Sequence, residues 1–181
     1  MDALRRYSKS NSLAYRAWSL SRKIRYGRTK PLPRRSHDLY LDGFPRSGNT
    51  YFTAAVHNVF PDLCFANHLH VIAPIKIAIR LQLPTFILIR DPLEAISSYI
   101  HHVNAPVTIS SQKGKPESVL VERFLCAWFD YYSYIVQMRS RINLISSEEA
   151  FKEPVVALKN IAHQVSPCKS DESISVLWRE F

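Results

Sequence analysis

Leu39-Tyr40-Leu41-Asp42-Gly43-Phe44-Pro45-Arg46-Ser47-Gly48-Asn49-Thr50 is the stretch on which the fold turns. Its first half, Leu39 to Phe44, reads as a buried strand. From Thr50 the apolar residues Phe52, Ala55, Val56, Val59 and Phe60 fall on one helical face at i, i+3, i+4, i+7 and i+8. A strand that ends in a tight loop and runs straight into a helix aims the helix's unpaired N–H groups, and the positive end of its dipole, beyond the strand tip. Such a turn is a seat for a phosphate-like anion. Gly48 allows close backbone approach, Arg46 adds charge, and Ser47, Asn49 and Thr50 offer polar side chains. The loop is not of the Walker form, in which Lys follows the second Gly, because Asn49 follows Gly48 here. At this point a plain structural turn remains the alternative.

Working outward, Leu63 to Ala66 is a short candidate strand. A helical stretch through Ile75, Ile77, Ala78 and Leu81 follows, with Pro84 expected to end it. Thr85-Phe86-Ile87-Leu88-Ile89 is apolar throughout and rich in β-branched residues, as a strand covered on both faces of a parallel sheet must be. Asp91-Pro92-Leu93-Glu94 then opens a helix, with Asp as cap, Pro in the first turn and Glu completing an Asp-x-x-Glu box. The polar, Gly/Pro-punctuated stretch 104–116 is expected to be a mobile loop over a site. A long helix from Glu117 carries Val121, Phe124, Leu125, Trp128, Tyr132 and Ile135. Ile142 to Ser146 supplies a strand, and Pro154 opens a last helix. Alternating strands and helices predict an α/β fold: a single three-layer domain with a central parallel sheet over residues 38–181.

The second constellation sits at the tip of that strongest strand. Arg90 ends it, and Ser98 follows eight residues later on the next helix. A guanidinium fork and a hydroxyl so placed can converge on one phosphate. The sequence equally allows Arg90 to pair with Asp91 or Glu94, and Ser98 to bond within its own helix.

Together the two motifs resemble the sulfotransferase family, whose phosphosulfate loop reads like PKSGTT and whose 3′-phosphate motif reads RxPxxxxxS. In this chain they are PRSGNT, Pro45 to Thr50, and Arg90-Asp91-Pro92 through Ser98, in the family's order. The resemblance continues through Trp128-Phe129-Asp130 and the Ser-Glu-Glu segment near Glu148 and Pro154, covering roughly residues 38 to 165. It implies a P-loop NTPase-like, sulfotransferase-like fold. The implied donor is 3′-phosphoadenosine 5′-phosphosulfate (PAPS), with adenosine 3′,5′-bisphosphate as product and no metal.

By the same resemblance, Arg46 stands where the family has a Lys that contacts the phosphosulfate and offsets charge on the departing phosphate. Ser47, Gly48, Asn49 and Thr50 would cradle that group, Arg90 and Ser98 would hold the 3′-phosphate, and Tyr51 takes the place of an adenine-stacking aromatic. Asn67-His68-Leu69 resembles the family's KTHLP segment, which makes His68 the implied general base; His70 is the alternative, and so is a purely structural histidine. The chain departs from the pattern at Ala66 (a Lys in the family), Asn49 (a Thr) and Ser147 (an adenine-contacting Tyr). The Arg-Lys-Gly segment that adds 3′-phosphate contacts has no counterpart up to Phe181, so weaker donor affinity is expected, with Arg179 as a candidate substitute. The competing functions are a P-loop kinase or other phosphotransferase and a non-catalytic nucleotide-binding relative.

The formal net charge is +9, and it is unevenly placed. Residues 1–37 hold 11 of the 24 Lys and Arg and one of the 15 carboxylates, leaving 13 bases against 14 acids from Asp38 onward. In that basic segment Leu13, Ala17, Leu20 and Ile24 recur at helical spacing beside Trp18. Three readings stand open for residues 1–30: peripheral contact with an anionic membrane, an organelle-targeting segment, or a helix packed on the domain. Lys30 to Arg35, bracketed by prolines, reads as a linker. No nucleic-acid-binding module follows. The odd, unpaired cysteines Cys64, Cys126 and Cys168 predict buried free thiols. No apolar run approaches the roughly 20 residues of a membrane span, so a soluble, cytoplasmic protein is expected, associated with a membrane surface if the first reading holds. The acceptor is expected to be a small molecule, lipid or glycan.

Overall fold

The structure, a computed structural model, describes residues 11–26, 32–105, 114 and 116–165, with side chains omitted for 22–26. Four strands, β1 (Leu39–Gly43), β2 (Phe65–Asn67), β3 (Thr85–Ile89) and β4 (Asn143–Ser146), form one sheet in the order β2-β1-β3-β4. Every pairing is parallel, with Leu41 beside Asn67 and Phe86, and Leu88 beside Ile145. The helices are α1 (Ser12–Tyr26), α2 (Asn49–Val59), α3 (Ile72–Arg80), α4 (Pro92–Asn104), α5 (Glu117–Gln137), α6 (Ser147–Lys152) and α7 (Pro154–Val165).

Alternation along the inner strands sorts the core into two layers. Leu39 and Leu41 of β1, with Phe86 and Leu88 of β3, pack against Phe52 and Val56 of α2 and Leu158 and Ile161 of α7. The residues between them, Tyr40 and Ile87, face Ile75 of α3, Ala95 of α4 and Phe124 and Ile135 of α5. Helices thus cover both faces, which is why β3 reads as an apolar run and β1 as one broken only by Asp42. Fully burying a Phe or Ile side chain is worth about 1.5–3 kcal/mol. Phe86 and Ile87, both wholly buried, therefore each anchor a different layer.

The strand order reverses between β1 and β3: the chain leaves β1 toward β2, then crosses back to β3 and on to β4. In open parallel sheets the crevice outside the carboxyl ends at such a reversal is where ligands sit. The loop after β1 and Arg90 after β3 both end up there.

Several expectations are corrected in detail. Helix α3 stops at Arg80, ahead of Pro84, because Gln82 adopts a left-handed φ of 59°. Its amide returns to Ile79 O and that of Leu83 to Ala78 O, a closure that glycine usually makes. Helix α6 was not foreseen; Ser146 caps it by accepting from the Glu149 amide. Cys64 and Cys126 are exposed free thiols rather than buried ones. On α5 the expected Val121, Phe124, Trp128, Tyr132 and Ile135 all pack inward, Leu125 is exposed instead, and Leu120 and Tyr131 join the buried face. On α1 the buried residues are Ser12, Tyr15 and Ser19, while Leu13, Ala17 and Leu20 face outward. Most of the 104–116 loop, Cys168 and Arg179 lie outside the described residues. Among the described residues no helix is long and apolar enough to cross a membrane.

Candidate functional site

The β1–α2 loop is shaped by two residues in left-handed conformations, Arg46 (φ 71°) and Gly48 (φ 81°). Gly48 suits its positive φ, and a Cβ there would also approach the tip of the exposed Phe151 ring to 2.6 Å. The loop is held from within. Ser47 is fully buried: its hydroxyl lies 3.3 Å from the Tyr132 hydroxyl, and its carbonyl accepts from Ser147 Oγ at 2.7 Å. Tyr132 also donates to Leu88 O at 2.7 Å, tying the loop to the end of β3. Burial pushes its phenol up to about 12, against the lowering pull of Ser47 and the Phe44 amide, so it remains a donor. Asn49 turns inward too, donating to Phe44 O at 3.1 Å and, more weakly, to Gly43 O at 3.4 Å. The side chains of Ser47 and Asn49 therefore brace the loop, leaving α2's N-terminal amides, Thr50 and Arg46 as its outward chemistry.

The second corner meets the first directly. Asp91 caps α4 by accepting from the Leu93 and Glu94 amides, with Pro92 at the first position, and this sets Ser98 two turns along. Arg46 Nε donates to Ser98 Oγ at 2.9 Å, and Arg90 Nη1 to Arg46 O at 3.2 Å. Arg90 Nε also pairs with Glu94 at 3.1 Å, one of the alternatives its sequence position left open.

Both corners open onto one cavity of about 580 Å³, a usual size for a small-molecule site. Gly48, Thr50, Tyr51, His68, Arg90 and Ser98 all line it. Among the described residues its walls carry two arginines, three histidines and no carboxylate, a lining suited to an anion. Tyr51 and Phe151 form a tilted aromatic pair, centroids 4.9 Å apart, at its rim. A further cleft of about 480 Å³, lined by Pro84, Thr85 and Arg141, lies where β3 and β4 begin, away from the carboxyl ends that such sheets use.

The turn after β2 brings two histidines to the cavity, both at φ 54°. Positive φ is uncommon outside glycine, and three of the four such non-glycine residues among the described ones, Arg46, His68 and His70, line this one cavity. His68 Nε2 is 3.4 Å from Thr53 Oγ1. His70 is held more firmly: its Nδ1 lies 2.7 Å from Gly43 O and 3.0 Å from a carboxylate oxygen of Asp42.

Asp42 is completely buried and was not anticipated as a site residue. It accepts from the Tyr40 hydroxyl (2.6 Å) and the amides of Gly43 (2.9 Å), Leu69 (3.0 Å) and His70 (2.7 Å). Burial by itself would raise its pKa. The hydrogen bond and charge of His70, with the bonds from Tyr40 and Gly43, outweigh that and hold it below the usual carboxylate value. A signal was present in the sequence: a carboxylate inside an otherwise apolar strand must find partners. Tyr132 and Phe151 carried no such mark, being aromatic residues on helices.

No family model and no curated protein matches the chain. Among solved structures it is similar to the crystal structure of mouse sulfotransferase SULT7A1 complexed with PAP, with a TM-score of 0.61 and 19% sequence identity. The match covers 82% of this chain and 65% of that one, so the chain spans about two thirds of that structure's length. At this level of identity the likeness is one of architecture: the parallel-sheet domain described above has a sulfotransferase-like fold.

Proposed function

We propose that this protein is a sulfotransferase that moves a sulfuryl group from PAPS to a hydroxyl or amine. The observation that carries the reading is the meeting of two anion-holding corners across one cavity, joined by the 2.9 Å bond from Arg46 to Ser98. The donor has a phosphate at the 3′ end and a phosphosulfate at the 5′ end, so it needs two such corners. Support comes from the two arginines that line the cavity and from a fold shared with a sulfotransferase crystallised with PAP. A kinase of the Walker type would need a lysine where Asn49 instead ties the loop to Phe44 O.

When bound, PAPS supplies an activated sulfuryl group with a phosphate as leaving group. Arg46, Thr50 and the first amides of α2 hold its 5′ end, and the Arg46 guanidinium with the helix dipole offsets negative charge gathering on that phosphate. Arg90 exchanges Glu94 for the 3′-phosphate. That pair is partly exposed and worth about 0–1 kcal/mol, so the exchange costs little. Ser98 donates to the same phosphate, and Tyr51 and Phe151 flank the base.

The acceptor's proton passes to an imidazole as its oxygen or nitrogen attacks sulfur and the sulfur–oxygen bond to the phosphate breaks. By resemblance that imidazole is His68. One observation favours a second reading with His70: the Asp42 carboxylate and Gly43 O both accept, which fixes a proton on Nδ1, and Asp42 is a buried anion that stabilises the imidazolium.

The test is ligand-dependent melting of the purified chain. Adenosine 3′,5′-bisphosphate should raise Tm without magnesium and more than ATP with magnesium does. No shift with the bisphosphate, or preference for magnesium–ATP, would overturn the assignment.

A further inference from the structure

We infer that α1 is a peripheral docking surface for an anionic lipid bilayer. The helix is fixed to the domain by two serines and a tyrosine. Ser12, Tyr15 and Ser19 are buried, and Arg80 of α3 donates to Ser12 Oγ at 2.9 Å. That attachment leaves the apolar residues outward, with Leu13 74%, Leu20 59% and Trp18 44% exposed and Ala17 beside them. Leu13, Ala17 and Leu20 stand at i, i+4 and i+7, one stripe along the helix. A helix that exists to cover the core would be docked the other way round, with this stripe against α3.

Charge decides what covers the stripe. The segment 1–37 carries 11 Lys and Arg against the single carboxylate Asp2, while the remainder of the chain is close to neutral. Arg16 is exposed within the helix itself. A second copy would bring the same net charge to the contact. An anionic bilayer offers opposite charge to exposed Arg16 and to a segment of this net charge, takes leucines into its acyl boundary and accepts tryptophan at headgroup level. With α1 only 15 residues long and interrupted by Arg16, it lies in the interface and does not span it. This inference is independent of the reading of the cavity.

The test is sedimentation of the full chain with vesicles of phosphatidylcholine alone or mixed equally with phosphatidylserine. Binding to the mixed vesicles should exceed that to phosphatidylcholine by at least about tenfold and weaken in high salt. Leu13→Glu with Leu20→Glu should reduce it by a further factor of about ten or more, with Tm unchanged because both positions are exposed. Absent or equal binding to the two vesicle types would overturn the inference, as would full binding by the double variant. A lipid-free dimer abolished by the double variant, without vesicle binding, would assign the stripe to a second copy and also overturn it.

Discussion

His68 and His70 sit two positions apart on the same turn, share the same left-handed backbone and face the same cavity, yet their surroundings differ. His68 is 3.4 Å from a threonine hydroxyl, whereas His70 is pinned by a buried carboxylate and a carbonyl. Removing the proton acceptor should lower transfer by about 10²–10⁴-fold while leaving the bisphosphate's Tm shift intact, since neither ring is assigned to hold the nucleotide. His68→Ala and His70→Ala, assayed side by side for turnover and for melting with the bisphosphate, give the answer. Loss of turnover in the first alone places the base at His68. Loss in the second alone moves it to His70, with Asp42 as its positioning residue. Full turnover in both would remove this turn from the chemistry.

At the scale of elements, the proposed function turns on the β1–α2 loop. The motif Pro45 to Thr50 was legible, and so was the strand-to-helix change around it, because hydrophobic spacing switches there from strand-like to helical. How its side chains divide was not legible. Ser47, Asn49 and Thr50 look equivalent as polar residues in a row, but the left-handed turns at Arg46 and Gly48 send Ser47 and Asn49 inward. Forcing a Cβ into that turn tests the division. Gly48→Ala should cost about 1–2 kcal/mol in stability through the left-handed backbone. The exposed Phe151 ring can swing aside from the contact. The larger effect should be on ligand: with the α2 amides displaced, the midpoint of the bisphosphate titration should rise by about tenfold or more. An unchanged midpoint would mean that the loop's backbone is not the anion seat.

At the scale of the molecule, Asp42 joins the centre of the sheet to the β2–α3 turn, so its ionisation is linked to folding. Its folded pKa is depressed relative to an ordinary Asp. The stability it contributes is therefore complete above the unfolded value of about 3.9 and is lost as pH falls through the lower folded value. Asp42→Asn should melt earlier at neutral pH, by about 1–3 kcal/mol for the mispaired donors, and should lose less Tm than the parent protein on going from neutral pH to below about pH 4. Parallel acid-melting curves for the two would show that Asp42 carries no such linkage.

Alternation of strands and helices, the Pro45–Thr50 loop motif and the spacing of Arg90 and Ser98 are local patterns, set by side-chain periodicity and backbone preference within a dozen residues, so the linear chain displays them. The meeting of the two corners, the Asp42–His70 contact and the docking of α1 through Ser12, which sets its apolar stripe outward, join residues 52, 28 and 68 positions apart in sequence. Local preference is blind to such contacts: they follow from the parallel strand order, which carries β1 and β3 side by side, and from which face of each helix the packed core leaves uncovered.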